Sequence, residues 1–136
     1  MDLLKSIAVA ASGLRGQAGR MRVIAENLAN ADSTPDRAGV DPYRRKIVTF
    51  QGRLDRELDA QVVELGRVER DRGAFRTKLD PGHPAADAAG QVRMPNVNSL
   101  IESMDMREAQ RSYEANLNVI SSTRRMLQRT IDILRA

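Results

Sequence analysis

The sequence predicts a mainly α protein: two long terminal helices forming a coiled-coil-like pair, with a small β-rich insert between them. Three observations predict it. Apolar residues recur at alternating spacings of three and four over the first thirty residues and over the last thirty-eight, the heptad signature of helices that pack on helices. Between them that period disappears and Pro, Gly, charged and β-branched residues take over. The length of 136 residues leaves room for one domain, or one small domain plus extensions. The predicted organisation is a terminal helical domain made of residues 1–34 and 97–136, and a β-rich insert domain of residues 35–96.

The first helix carries Leu4, Ile7, Ala11, Leu14, Ala18, Met21, Ala25 and Leu28 on an unbroken a/d stripe. Asp2 is suited to cap its start. Asn30-Ala31-Asp32-Ser33-Thr34-Pro35 ends it with turn formers and a proline. Such a helix spans about 43 Å. Gly13, Gly16 and Gly19 lie inside it, each costing up to about 1 kcal/mol relative to Ala. Two readings stand: the glycines are tolerated, or they serve a function, letting another helix approach closely or keeping the segment loosely folded before it assembles. They are not a phosphate loop, because no strand precedes them and no Lys-Ser/Thr follows.

In the insert, Arg44 to Gln51 is β-branched and aromatic enough for a strand, Val62 to Val68 is a second candidate, and Phe75 to Leu79 alternates as a third. Asp71-Arg72-Gly73 supplies a turn between the last two. Leu54 and Leu58, four apart, predict a short helical turn. Asp80-Pro81-Gly82-His83-Pro84 and the stretch Ala85 to Gly90 read as a loop leading back to the second helix.

That helix is expected to open on a capping box, Ser99 with Glu102, directly after Pro95-Asn96-Val97-Asn98. Tyr113, Leu117, Ile120, Leu127, Ile131 and Leu134 share one seam, with Arg124 the only polar intruder, over about 55 Å. A single helix pair buries one stripe per helix. Val9 and Val23 on the first helix, and Val119, Met126 and Ile133 at seven-residue intervals on the second, lie off those stripes. Scattered surface aliphatics are ordinary, but repetition at heptad spacing on both helices favours further helix partners from other subunits.

Composition excludes several functions. There are no cysteines, so disulfides, thiolate chemistry and Cys-based zinc sites are ruled out. Residues 1–34 carry four basic and three acidic groups, residues 35–98 twelve and ten, and residues 99–136 six and five. The net charge of +4 is therefore spread evenly and offers nucleic acid no concentrated basic face. No apolar run approaches the roughly 18–20 residues of a membrane span, and the run Ile7 to Ala11 is cut short by Gly13, Arg15 and Gly16, too early for a cleaved signal peptide. His83 is the only histidine; a turn role between two prolines outweighs a metal site with Asp80 and Asp87. No catalytic, cofactor-binding or metal-binding residues are expected.

Ala25-Glu26-Asn27-Leu28-Ala29-Asn30-Ala31, followed by Thr34 and preceded by Ala11-Ser12-Gly13-Leu14 and Arg20-Met21, resembles the amino-terminal signature of the flagellar rod and hook family. Glu108-Ala109-Gln110-Arg111-Ser112-Tyr113-Glu114-Ala115-Asn116 resembles that family's carboxy-terminal signature. Tyr43-Arg44-Arg45-Lys46, Phe50-Gln51, Asp80-Pro81-Gly82-His83-Pro84, Asp87 and Pro95-Asn96-Val97-Asn98 narrow the resemblance to a short rod member of the family. It covers essentially the whole chain, with residues 52–74 and 85–93 matching least.

The resemblance implies a structural subunit of the bacterial flagellar proximal rod, exported through the flagellar type III apparatus without signal cleavage. It implies assembly with other rod proteins, with the rod base and MS-ring adaptor, and with copies of itself, as a hollow, torque-transmitting shaft across the periplasm. Nucleic acid and membrane insertion are not expected. The expected assembly interface is the first-helix stripe with Asn27 and Asn30, and Tyr113, Asn116, Leu117, Ile120, Leu127, Ile131 and Leu134 of the second helix. The rival is a soluble coiled-coil adaptor, a closed oligomer with a β insert, which has no need of second apolar rows.

Overall fold

The computed structural model describes residues 2–135. Helix α1, Leu3–Ala29, starts where the Asp2 carboxylate accepts the amides of Leu4 (3.1 Å) and Lys5 (3.3 Å). It ends in the expected turn, where the Asn30 side chain donates to the Glu26 carbonyl at 2.9 Å. Six strands follow: β1 Lys46–Ile47, β2 Phe50–Asp55, β3 Ala60–Leu65, β4 Glu69–Arg70, β5 Arg76–Leu79 and β6 Gln91–Met94. Helix α2, Ser99–Arg135, closes the chain. The strands form three antiparallel pairs: β1 with β4, β2 with β3, and β5 with β6. The architecture is thus two terminal helices with a small strand-containing region between them.

The chain packs into two compact units. The first takes α1 up to Met21, Thr49–Arg67, and α2 from Arg107 onward. The second takes Arg22–Val48 and Val68–Met106. Each helix contributes to both.

In the first unit, α1 and α2 run antiparallel: Gly13 lies against Asn116, and Arg20 reaches Glu108 at 3.4 Å. A Cβ on Gly13 would stand 2.9 Å from the Asn116 amide, so the helices meet where α1 has no side chain. Gly16 faces the Phe50 ring and Gly19 faces Leu65, so these two admit the β2–β3 hairpin and not a helix. Ser12 joins the hairpin to α1 by accepting the Val63 amide at 3.0 Å. Of the two readings of the glycines, close approach is the one realised, by one helix and one hairpin.

In the second unit, β6 alternates exposed Gln91 and Arg93 with buried Val92 and Met94, which pack with Ala85. Gly90, at φ 74°, closes the loop before β6; a Cβ there would stand 2.9 Å from Pro81 Cγ. Arg44 stacks on the Phe75 ring with its guanidinium carbon 4.2 Å from the centroid.

The structure corrects several expectations. The strand expected from Arg44 to Gln51 is two, because its halves pair with different partners. The one expected from Val62 to Val68 likewise breaks at Gly66, whose amide donates to the Thr49 carbonyl at 2.7 Å and closes the hairpin. Leu54 lies in β2, not in a helical turn. The Asp55 carboxylate accepts the amides of Glu57 and Leu58, folding that stretch into a hairpin tip that ends in Asp59 at φ 47°. β6 falls beyond the stretch read as loop. The α2 cap is Asn98, whose Oδ1 accepts the amides of Leu100 (3.0 Å) and Ile101 (3.3 Å); Ser99 is already helical and Glu102 points elsewhere. Asn is among the strongest capping residues, and the half-buried Arg45 claims the buried Glu102 carboxylate.

Candidate assembly interface

Within its own subunit, α1 buries a different face from its heptad stripe. The buried positions are Ala10, Ser12, Gly16, Val23, Ile24 and Asn27. Val23, expected off the seam and in water, is only 8% exposed. The stripe is only partly covered: Ile7, Ala11, Leu14, Met21 and Leu28 are half-buried, Ala18 and Ala25 exposed, and Leu4 is 68% exposed. On α2, Tyr113, Asn116, Ile120 and Leu127 are half-buried, whereas Leu117, Ile131 and Leu134 are exposed. Val119, Met126 and Ile133 are exposed as well. Asn116 meets α1 closely at Gly13, beside a hollow lined by Lys5, Val9 and Val119. Among the described residues more large apolar side chains are exposed than are buried, the reverse of a self-sufficient core.

Asn27 behaves differently. It is 1% exposed and every hydrogen-bonding position of its amide is used inside the second unit. Its Oδ1 accepts the Lys46 amide and the Tyr43 hydroxyl, both at 2.9 Å. Its Nδ2 donates to the Lys46 carbonyl at 2.8 Å and to Glu102 Oε2 at 3.1 Å. Only one orientation of the amide satisfies two donors and two acceptors so arranged. The other Glu102 oxygen accepts from Arg45 Nε, and Glu102 is itself 1% exposed. Arg45 also lies 3.6 Å from Asp71 and 3.7 Å from Asp105, while Lys46 pairs with Glu26. Burial works against the Arg45 charge, but the bond to Glu102 and the three carboxylates around it prevail and raise its pKa. Burial, with the charges of Glu26 and Glu102, pushes the Tyr43 hydroxyl up to about 12.

Periodicity did not reveal this network. The family signature singles out Asn27 and Asn30, helix-end chemistry only Asn30, and local spacing assigns Glu102 to a cap. The available signal was the pairing of Arg45-Lys46 in the insert with Glu26 and Glu102 on the helices. His83 accepts the Ala85 amide at Nδ1 (3.0 Å), which leaves Nε2 to donate to Thr34 Oγ1 at 3.1 Å. Both ring nitrogens are engaged in holding the loop to the turn after α1. Among the described residues no helix is long and apolar enough to cross a membrane, and no three acidic, histidine or cysteine residues gather as a metal site.

Terminal helices with uncovered apolar rows, joined through a small strand region, define an assembly subunit. Comparison with known proteins makes the class specific. Residues 7–35 match the family model described as flagella basal body rod protein, and residues 88–133 match that described as flagellar basal body rod FlgEFG protein C-terminal. The flagellar basal-body rod protein FlgC of Agrobacterium fabrum is 53% identical over the whole of this chain and 99% of its own length. Those of Yersinia enterocolitica and Aquifex aeolicus are 38% and 36% identical, covering 98% and 97% of both chains respectively. The chain belongs to the FlgC family of flagellar basal-body rod proteins.

Proposed function

We propose that this chain is a structural subunit of the flagellar basal-body rod that polymerises through the apolar rows of α1 and α2 into a hollow, torque-transmitting shaft. The observation that carries this reading is the α1 stripe from Leu4 to Leu28, an apolar row of which the subunit fully buries no residue. A helical polymer buries several different faces of each subunit, because its contacts do not close. Its partners are copies of this chain, other rod proteins, the rod base and MS-ring adaptor, and, during export, the flagellar type III apparatus. The finished rod spans the periplasm. The role is mechanical, with no catalysis.

Electron microscopy of purified basal bodies carrying a tagged copy tests the reading: the tag belongs in the rod. Its absence there, with a closed soluble oligomer in the same cells, selects the adaptor instead.

A further inference from the structure

α2 stays apolar past the point where α1 stops facing it. Counted from the contact of Gly13 with Asn116, Leu3 lies ten residues back along α1, about 15 Å, and Arg135 lies nineteen residues on along α2, about 28 Å. α2 therefore outruns α1 by about 13 Å. The side of α2 that carries Ala109, Asn116 and Thr123 continues at helical spacing into Leu127, Ile131 and Leu134. Leu134 is 82% exposed and Ile133, on the adjoining row, 75%. Helical spacing sets Arg124 and Arg135 along one border of this apolar sector and Arg129 beyond the other, with Arg125 farther round the helix. Asp132 is the one acid in the segment, so residues 124–135 carry a net charge of +3. Arg124 and Arg129 have no ion pair among the described residues.

The tip of the β2–β3 hairpin has the reciprocal chemistry. Residues 54–59 read Leu-Asp-Arg-Glu-Leu-Asp, with two leucines, three carboxylates and a net charge of −2. Leu54 is exposed, and so is Glu57. Asp59 stands 3.8 Å from Lys5 and sets the tip beside the first turns of α1. Lys5 also shares a hollow with Val119 of α2. Tip and overhang therefore lie at the same end of this unit, against different sides of α1. Among the described residues no hydrogen bond or ion pair joins the two within one subunit, and a basic, apolar surface and an acidic, apolar one fit each other in two.

We propose that residues 124–135 of α2 form a docking surface for the β2–β3 hairpin tip of a second copy of this chain. The contact joins one face to a different face, so it repeats along a polymer without closing. It rests on the rod reading and supplies one of the contacts that reading requires.

The chain has no cysteine, so introduced thiols report on this contact alone. Full-length Glu57→Cys and Arg129→Cys chains, mixed at high concentration and mildly oxidised, should form the mixed 57–129 disulfide at least five-fold in excess of either same-site dimer. Arg124→Glu in the second chain should lower that yield at least five-fold, as should 1 M salt, where the Debye length is about 3 Å. Same-site dimers in equal yield overturn the proposal. So does a mixed yield indifferent to salt and to Arg124→Glu, or cross-linking in basal bodies only to a different rod protein. If the tagged chain is found in the rod while the 57–129 bond is absent, this contact falls and the rod reading stands. If the tag is absent from the rod, that reading falls whatever the cross-linking yield.

Discussion

The side-chain amide of Asn27 pairs with both backbone groups of Lys46, at 2.9 Å to its N–H and 2.8 Å to its C=O, as a neighbouring strand would. A residue near the end of α1 thereby fixes the first residue of β1. The same amide reaches Glu102 on α2, so segments far apart in sequence close on a single side chain.

Asn27→Ala strips partners from the Lys46 backbone, Tyr43 and Glu102 together. Leaving such buried groups unsatisfied should lower stability by about 3 kcal/mol in urea unfolding. Asn30→Ala loses one bond to the Glu26 carbonyl and should cost about 1 kcal/mol. With both replaced, rod assembly should suffer more than secretion. Normal motility and an unchanged urea midpoint would refute the role given to Asn27.

Glu102→Ala leaves Arg45 without its closest carboxylate and should cost about 3–5 kcal/mol, whereas Glu102→Gln keeps an acceptor for Arg45 and should cost less. If Glu102 served only as a helix cap, both variants would fall within about 1 kcal/mol of wild type. Thermal unfolding followed by circular dichroism separates the two cases.

Alkaline pH should weaken the fold through Tyr43. Its folded pKa of about 12 lies above the ordinary 10, so the folded chain keeps a proton that the unfolded chain loses. Stability is then complete below pH 10 and declines as pH rises toward 12. Urea midpoints measured from pH 9 to 12 should show that decline, and Tyr43→Phe should flatten it.

Gly13→Ala sets a gain in helix propensity of about 1 kcal/mol against a methyl group 2.9 Å from the Asn116 amide. Asn116 is itself held by a bond to the Ser112 carbonyl at 3.0 Å. The single variant should be destabilised, and Asn116→Ala should relieve it in the double variant. A double-mutant cycle without coupling would mean that the helices do not meet at Gly13.

Leu28→Asp and Leu127→Asp place a carboxylate on rows that assembly is expected to bury, a cost of several kcal/mol in every subunit. Both should abolish rods and swimming. His83→Ala loses two loop contacts and should leave motility largely intact. Loss of motility in His83→Ala with rods still present would reveal a chemical site.

Before assembly the purified chain should be largely monomeric. Trypsin should cut first within residues 124–135, where four exposed arginines lie toward the end of α2, and last near residues 40–95. A protected compact dimer at micromolar concentration would contradict this.

Local chemistry made the two helices legible in the sequence. Heptad spacing over Leu4 to Leu28, the Asp2 cap, the Asn30 to Pro35 stop and the seam from Tyr113 to Leu134 depend on residues within a turn or two of one another, so their outcome is written where they stand. The strands were legible as tendencies but not as partners. Nothing local distinguishes Arg44 to Gln51 as one strand from two, because the break is imposed by Glu69–Arg70 on one half and by Ala60–Leu65 on the other. Which face of α1 is buried was likewise decided by tertiary structure: the heptad stripe carries the larger side chains, but close packing follows the glycines, where backbone can approach. In the sequence Asn27 reads as part of a family signature and Glu102 as part of a cap. Only folding, by bringing Arg45 and Lys46 between them, gives both a partner worth more than the local bond each would otherwise make.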